Sequence, residues 1–289
     1  MNEVAMVDHL IINGREFDFS RRTFIMGILN VTPDSFSDGG KYLAIDDAVA
    51  RAMTMVEEGA DIIDVGGEST RPKGLYGQGS QSVPLNEELQ RVIPVIKRIS
   101  DVTDTPISID TTKSEVAREA LRAGASIVND ISGLRFDPSI AESAVEFHAA
   151  LILMHSRGTP ETMQMNPQYD DVIGEVKAEL RHSIAKAQSA GVQKIIIDPG
   201  IGFGKNLTHN LLLIKHLAAL KELGFPILIG TSRKGFIGTL LNLPTDQRME
   251  GTAASVSAAI MNGANIVRVH DVKEMKRIAV ITDAIRTVE

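Results

Sequence analysis

Polar residues suited to holding a metal ion or a phosphate follow the first strongly apolar segment of the chain. Residues 26–40 read MGILNVTPDSFSDGG, in which an apolar, β-prone run changes into a loop with Asn30, Asp34 and Asp38. Amide and carboxylate oxygens are hard ligands of the kind that hold Mg²⁺ beside phosphates. Strand ends that feed such loops carry the chemistry of α/β enzymes. Pro-Asp-Ser and Asp-Gly-Gly are also ordinary turn formers, so this segment alone leaves a site and a simple turn equally open.

Seven further apolar runs also end in groups that donate or accept hydrogen bonds. In chain order these ends are Gly66–Pro72 (GGESTRP), Asp110, Asn129-Asp130, His155, Asp198-Pro199-Gly200, Gly230–Lys234 (GTSRK) and Arg268-Val269-His270. Each alone has a plain structural explanation: Asp110 as a helix N-cap, Asp198 as a turn residue and His155 as a structural histidine. Their coincidence at every strand end favours one shared site.

The apolar runs alternate with amphipathic stretches, which predicts a (β/α)₈ TIM barrel. The expected strands are 24–29, 62–66, 106–110, 126–129, 150–155, 194–198, 226–230 and 265–269. The expected helices are 45–58, 84–100, 114–123, 138–148, 169–190, 207–223, 249–262 and 272–288. Near-continuous apolar runs are typical of parallel strands buried on both faces. An open doubly wound sheet is the alternative, but it usually has fewer strands, and the first turn after a strand lacks GxGxxG.

Local signals refine this architecture. Asn13-Gly14 between two short β-prone segments predicts an N-terminal hairpin over residues 8–23. Ser114 and Thr208 precede helical runs as expected N-caps. Glycines are expected to cap the ends of five helices: Gly59, Gly124, Gly191, Gly224 and Gly263. Because no low-complexity break interrupts the pattern, residues 1–289 are expected to form a single domain.

Composition excludes several classes of function. The 289 residues carry a formal net charge of −7 and no Cys, so disulfides, thiolate metal sites and a Cys nucleophile are excluded. The acidic balance argues against a nucleic-acid surface, although a few clustered cations can still attract a small anion. No apolar run approaches the ~20 residues of a membrane span, and the N-terminus lacks a secretory pattern. A cytoplasmic protein is the expectation.

The chemistry at the strand ends divides into two groups. Asp110, Asn129, Asp198 and Lys234 offer acceptors and donors that suit a flat heterocycle with a guanidine-like edge and a lactam carbonyl. The second group comes from strands 1, 7 and 8, which are neighbours in a closed barrel, where phosphate sites are common. Its members are Asn30, Ser232, Arg233, Arg268 and His270. Lys205 in GFGK resembles part of a P-loop, but GxxxxGK[ST] is not satisfied.

These residues resemble the dihydropteroate synthase family along almost the full chain. The matching motifs are GILNVTPDSFSDGG, ADIIDVGGESTRP, PISIDTTKSEVAREAL, GASIVNDISG, LMHSRGTPETMQ, IIIDPGIGFGK, GTSRKGFIG and NIVRVHD. The resemblance implies a TIM-like barrel that works as a homodimer through helices late in the chain. It also implies a Mg²⁺-dependent condensation of 6-hydroxymethyl-7,8-dihydropterin diphosphate with 4-aminobenzoate, which releases diphosphate.

The resemblance also assigns roles by position. Asn30 matches the Mg²⁺ ligand, and Arg268 with His270 matches the diphosphate clamp. The pterin pocket matches Asp110, Asn129, Asp198 and Lys234, with Met154 and Phe203 as apolar walls. Thr70 and Arg71 match loop residues at the substrate, and Phe36 and Ser232 match residues beside aminobenzoate. Catalytic roles are expected for Asp110, Lys234, Arg268 and His270.

Two segments depart from the family pattern. The second loop, residues 73–84, is longer and richer in Gly, Gln and Ser, and the fifth strand end adds the cation Arg157. Two other functions remain alternatives. A pterin- or methyltetrahydrofolate-binding barrel without synthase activity would need no diphosphate clamp, and a sugar-phosphate barrel enzyme would not need the residues that suit a flat base.

Overall fold

The computed structural model describes residues 6–31, 41–68, 73–74, 77–78, 83–159, 162–163 and 165–288. Its strands are β1 (His9–Ile12), β2 (Arg15–Asp18), β3 (Phe24–Asn30), β4 (Ile62–Gly66), β5 (Lys73–Gly74), β6 (Gly77–Gln78), β7 (Ile107–Asp110), β8 (Ile127–Asp130), β9 (Ala150–Met154), β10 (Ile195–Asp198), β11 (Leu228–Ile229) and β12 (Ile266–Val269). Its helices are α1 (Lys41–Glu57), α2 (Leu85–Ser100), α3 (Ser114–Arg122), α4 (Ile140–Glu146), α5 (Val172–Ala190), α6 (Leu207–Lys215), α7 (Gly235–Leu241), α8 (Met249–Met261) and α9 (Val272–Thr287). Short 3₁₀ helices cover Leu217–Leu223 and Thr245–Gln247.

Eight parallel strands form the barrel predicted from the sequence. Their order is β10-β9-β8-β7-β4-β3-β12-β11. A parallel bridge between Ile197 and Ile227 brings the two ends of this order together. The helices pack outside the strands over a large aliphatic core that includes Ile63, Val128 and Ile197. The (β/α)₈ expectation is therefore confirmed.

The inner faces of the strands change from apolar to polar along their length. Because side chains alternate across a strand, Ile62 and Asp64 of β4 share one face, as do Ile196 and Asp198 of β10. Ile127 with Asn129 and Ile266 with Arg268 repeat this order on β8 and β12. The lower half of the barrel is thus filled by aliphatic side chains, and the carboxyl ends present polar groups to one mouth.

The N-terminal hairpin packs against the amino end of the barrel. β1 and β2 pair antiparallel around Asn13-Gly14, both with positive φ, as the sequence predicted. Phe17 lies 4.7 Å from Phe24 between ring centroids, and Phe19 lies 5.5 Å from Phe24. These rings join the cluster of Met26, Ile62 and the other inward aliphatic residues, so the hairpin seals the end opposite the polar mouth.

Helix ends follow the sequence at their C-termini and depart from it at their N-termini. The five predicted cap glycines all have positive φ, between 83° and 115°. Both predicted N-caps are wrong. Ser114 is the first residue of α3, and its backbone N–H donates to Asp137 at 2.7 Å. Asn206, not Thr208, caps α6 by accepting from the backbone N–H of His209. At α6, the side chain two residues before Thr208 is better placed to accept from the backbone N–H groups of the first helical turn.

Two other helical expectations differ from the structure. The helix expected over 207–223 ends at Lys215 and continues as a 3₁₀ helix to a left-handed Gly224. The short helix α7 was not expected at all, because GFIGTLL contains two glycines and reads as loop. Within the described residues, no helix combines the length and apolar character needed to cross a bilayer.

Candidate active site

The barrel brings the predicted site residues to one mouth. β3, β4 and β7 place Asn30 beside Gly66 and Gly66 beside Asp110 in register. The other members lie at neighbouring strand ends or in the loops that follow: Asn129, Met154, Asp198, Phe203, Ser232, Lys234, Arg268 and His270. Phe36, Thr70 and Arg71 lie outside the described residues.

Arg268 joins three strands across the centre of the mouth. Its Nε donates to Oδ2 of Asp64 at 2.6 Å, and its Nη2 donates to Oδ2 of Asp110 at 2.7 Å. Asn129 donates from Nδ2 to the same Asp64 oxygen at 3.3 Å. The sequence predicted Arg268 and Asp110 in separate groups, whereas the structure pairs them directly.

Asp64 is a site residue that the sequence interpretation missed. It is fully buried, and its Oδ1 has no hydrogen-bond partner within the described ranges. The available signal was a carboxylate inside the apolar run IIDVG. A buried charge in a strand needs a partner, so this position pointed inward to a cation. Asp64 is not part of the strand-end pattern, because it lies two residues before the end of β4.

Burial shapes the electrostatics of the two carboxylates nearest the mouth. Desolvation raises the pKa of Asp110 to about 7, against the attraction of Arg268, which lowers it. Desolvation likewise raises the pKa of Asp198 to about 6, although the backbone N–H of Gly200 donates to its Oδ1 at 2.7 Å. Both groups therefore change charge near neutral pH, which is common at functional sites.

Lys234 lies within electrostatic range of Asp198 at the mouth. Desolvation and the charge of Arg268 lower the pKa of Lys234 to about 8, while Asp198 and Asp110 raise it. Its Nζ lies 4.2 Å from the ring centroid of Phe203, a cation–π contact. Met154 is buried on β9, in register with Asp198. A carboxylate, an ammonium and two apolar side chains are thus grouped at one side of the mouth.

The ends of β11 and β12 form a second polar group. The Oγ of Ser232 and the Nδ1 of His270 are 2.9 Å apart, and the backbone N–H of His270 donates to the same oxygen at 3.2 Å. β12 pairs with both β11 and β3, as predicted for strands 7, 8 and 1. Arg233 forms a two-pronged ion pair with Asp271 instead of joining this group.

His155 and Arg157 have structural partners. Nδ1 of His155 lies 2.9 Å from Nζ of Lys205, and its Nε2 lies 3.0 Å from Oε2 of Glu179. Arg157 pairs with Glu175 and Glu179 and stacks on Tyr169 at 4.0 Å. The additional cation at the fifth strand end is therefore held on α5.

The side chains above β3 include hard oxygen donors of the kind that would suit a magnesium ion. A Cβ added at Gly66 would lie 4.0 Å from Oδ1 of Asn30 and 3.9 Å from Oδ2 of Asp110, so two hard oxygens flank an open backbone position. No grouping of three His, Cys, Asp or Glu side chains suited to a metal occurs in the part of the chain described. Such a site suits Mg²⁺, which takes few protein ligands and completes its shell with phosphate oxygens and water.

Comparison with known proteins identifies the family. A family model described as "Pterin binding enzyme" matches residues 26–270. Dihydropteroate synthase of Synechocystis sp. is 50% identical over 272 residues, which cover 93% of this chain and 92% of that protein. The Yersinia pestis enzyme, solved with a sulfonamide drug, superposes with a TM-score of 0.89 at 44% identity, and the match covers 97% of this chain and 100% of that chain. The Xanthomonas albilineans enzyme, solved with 4-aminobenzoic acid, gives 0.88 at 42% identity over 98% and 99% of the two chains. The chain therefore belongs to the dihydropteroate synthase family of pterin-binding enzymes.

Proposed function

We propose that this protein condenses 6-hydroxymethyl-7,8-dihydropterin diphosphate with 4-aminobenzoate, yielding 7,8-dihydropteroate and diphosphate. The observation that carries this proposal is that the Asp198 carboxylate and the Lys234 ammonium influence each other's charge in one mouth, where Lys234 lies on the ring of Phe203. A carboxylate and an ammonium beside apolar side chains match a pterin, which has a donating guanidine-like edge and an accepting carbonyl. The relatives that bear the name of this activity cover almost the full chain.

The pterin end of the pocket works by hydrogen bonding. The Asp198 carboxylate accepts from the N–H groups of the guanidine-like edge, and the Lys234 ammonium donates to the lactam carbonyl. Asn129, held by Asp64, supplies an amide toward the same ring, and Met154 with Phe203 covers its faces. Asp110 and Asp198 also offset positive charge that develops on the ring.

The diphosphate end works by charge neutralisation. Arg268 presents a planar fork suited to phosphate oxygens, and His270 adds a donor whose ring is oriented by Ser232. Asn30, with Asp110 nearby, is the residue that would hold Mg²⁺. When bound, that ion neutralises charge on the leaving diphosphate. Together these groups stabilise the leaving group, the electrostatic effect that usually dominates such catalysis.

The chemical step is an ionisation followed by capture. The C–O bond to diphosphate breaks with its electron pair leaving on oxygen, which gives a methylene cation conjugated with the electron-rich dihydropterin ring. The amine nitrogen of 4-aminobenzoate then forms the C–N bond and releases a proton. This order suits a weak aryl amine nucleophile, and it requires no covalent intermediate on the protein.

Incubation of the purified protein with the pterin diphosphate, 4-aminobenzoate and Mg²⁺ tests the proposed function. Equal amounts of dihydropteroate and diphosphate are expected, with no product when either substrate is omitted. Binding of the pterin without diphosphate release would instead indicate a pterin- or methyltetrahydrofolate-binding barrel. Bridging-¹⁸O pterin diphosphate, recovered without aminobenzoate, tests ionisation through label exchange. Absence of exchange together with rates that rise steeply with aniline basicity would show direct displacement.

A homodimer through α8 and α9 is also part of the proposal. An open groove between these helices is lined by Met261, Ile278, Ile281 and Ile285. Ile281 is 63% exposed and Ile285 is 60% exposed, and contiguous apolar patches of this kind mark association surfaces. Sedimentation should give a dimer for the protein and a monomer for Ile281→Glu. Val102→Glu, at an exposed apolar residue after α2, should remain dimeric.

A further inference from the structure

The segment between Asp198 and Lys205 carries two pterin-pocket residues but has little regular structure of its own. It runs from the end of β10 to the cap of α6 and includes Asp198 and Phe203. Gly200 and Gly204 both have positive φ, at 69° and 63°. A Cβ added at Gly200 would lie 1.8 Å from the carbonyl oxygen of His155, and one at Gly204 would lie 2.6 Å from that of Arg157. The segment therefore packs by its backbone on residues 155–157.

Lys205 ties this segment down from beneath. Its Nζ lies 2.9 Å from the carbonyl oxygens of Gly200 and Phe203 and 2.9 Å from Nδ1 of His155. Lys205 is only 2% exposed. An ammonium has three donors and no acceptor, and three acceptors at 2.9 Å match them here, while the carbonyl oxygen of His155 lies farther away at 3.4 Å. Two of the three bonds fix the backbone on either side of the turn that presents Phe203.

His155 completes the arrangement as an acceptor. Desolvation and the charge of Lys205 lower the pKa of His155 to about 4, so the ring is neutral near pH 7. Because Nδ1 accepts from Lys205, the ring proton is on Nε2, which faces Oε2 of Glu179 at 3.0 Å. The histidine thus lies between Lys205 and Glu179 of α5, although the approach of Nε2 to Glu179 does not have the geometry of a hydrogen bond.

We propose that Lys205 is a positioning residue for pterin binding: it holds the 199–204 segment so that Asp198 and Phe203 face Lys234. This inference rests on the proposed function, because it assigns the pterin to the end of the mouth that contains Asp198. Lys205 acts through the carbonyls of Gly200 and Phe203 and does not itself contact the substrate. The diphosphate end is built on other strands, β3, β11 and β12, and no hydrogen bond of Lys205 reaches it among the residues described.

The charged groups around Lys205 affect the pKa of its ammonium. Desolvation lowers the pKa of Lys205 to about 7; Asp198 and Glu179 raise it, while Lys234 and Arg157 lower it further. Near neutral pH the carboxylates of Asp198 and Glu179 favour the charged form, which donates to the two carbonyl oxygens and to His155. The outer side is covered by Tyr169, whose hydroxyl donates to the carbonyl of Gly204 at 3.0 Å, and by His209, which packs edge-on against that ring.

Direct binding measurements on Lys205→Met test the proposal. Methionine keeps the length of the stem and removes the charge and the donors. Fluorescence titration with a phosphate-free pterin should show affinity weakened by about 10-fold or more, whereas inorganic diphosphate with Mg²⁺ should bind as in the parent. In the assay, KM for the pterin diphosphate should rise more than KM for 4-aminobenzoate. Lys194→Met is the matched control, because its half-buried side chain lies just before the opposite end of β10 and its Nζ donates to the carbonyl of His148, far from the mouth.

Tyr169→Phe provides a second, milder test if Lys205→Met does not fold. It removes one bond to the same segment, so pterin affinity should fall by about 3-fold, again without loss of diphosphate binding. Unchanged pterin affinity in a folded Lys205→Met protein, or equal losses for both ligands, would overturn the proposal. Failure of the parent protein to form dihydropteroate would instead count against the proposed function, since binding of the phosphate-free pterin is measured without turnover.

Discussion

Arg268 is the residue on which the two ends of the site depend. It lies between Asp64 and Asp110, and its guanidinium is the cation closest to both carboxylates. These two carboxylates fix the direction of its guanidinium. Removing one partner of a buried ion pair leaves an uncompensated charge, which is costly even where the intact pair contributes little net stability. Asp64 is fully buried, so its partnership with Arg268 is the more demanding of the two.

Asp64→Asn should lower the free energy of unfolding by about 3 kcal/mol, because the charge opposite Nε of Arg268 is lost while the side-chain shape is kept. Urea denaturation monitored by circular dichroism measures this change. Ser108→Ala is the matched control, since Ser108 is buried on the adjacent strand and its Oγ has no partner in the described ranges. A loss for Asp64→Asn no larger than that of the control would contradict the role assigned to this pair.

The charge states of Asp198 and Lys234 predict how pterin affinity depends on pH. The pKa of Asp198 is raised to about 6, so its carboxylate is lost as pH falls through that value; the pKa of Lys234 is lowered to about 8, so its ammonium is lost as pH rises through that value. Affinity should therefore be greatest between the two values. Calorimetry with a phosphate-free pterin that does not titrate in this range measures the profile.

Asp198→Asn separates the two limbs of that profile. The amide cannot lose or gain the proton, so the part of the acidic limb that belongs to Asp198 should disappear, while the contribution of Asp110 and the basic limb from Lys234 remain. Affinity at the optimum should fall by about 1.5–3 kcal/mol, the usual worth of a hydrogen bond to a charged group. A flat profile in the parent protein would show that this pair does not contact the pterin.

At the scale of secondary-structure elements, the sequence predicts what local chemistry decides. Apolar runs with β-branched residues gave the barrel strands, and five glycines gave the left-handed helix ends. The N-caps failed because several neighbouring polar residues can each cap a helix, and only the backbone path selects Asn206 over Thr208. The sequence does not predict α7, because this helix has no periodic apolar pattern of its own and depends on its packing against α6 and α8.

Asn206→Ala should therefore destabilise the protein by about 1 kcal/mol, whereas Thr208→Ala should have almost no effect. The Asn206 Oδ1 accepts from the backbone N–H of His209 at 2.9 Å, and the backbone N–H of Asn206 donates to Nδ1 of His209. Thr208 is exposed on the first turn of α6. Thermal unfolding of the two variants in parallel is the measurement, and equal shifts would show that the capping interaction does not contribute.

The same limit applies to the site. Strand-end residues could be gathered from the sequence because a barrel places all carboxyl ends at one mouth. Which of them touch could not be predicted, since the pairing of Arg268 with Asp110 depends on strand register and on the inward position of Asp64. The sequence around Lys205 does not satisfy the P-loop motif and does not predict its role. That role arises from acceptors that only the folded segment brings together.

At the scale of the whole molecule, the barrel separates stability from chemistry. Its amino end is closed by the hairpin through Phe17, Phe19 and Phe24, and its carboxyl end carries the polar mouth. Between the two lies a layer of inward aliphatic residues that includes Met26, Ile62 and Ile196. This layer separates the site from changes at the hairpin, because its side chains are close-packed and apolar.

Truncation of an aromatic side chain in the hairpin should therefore reduce stability and leave the site intact. Phe17 is 2% exposed and packs on both neighbouring rings, so Phe17→Ala should lower the free energy of unfolding by about 3–5 kcal/mol. Affinity for a phosphate-free pterin, measured well below the unfolding transition, should match that of the parent. Phe136→Ala, at a ring that is 45% exposed, should change stability by no more than about 0.5 kcal/mol. If pterin affinity fell together with the stability of Phe17→Ala, the two ends of the barrel would be coupled, and the hairpin would belong to the functional architecture as well as to the core.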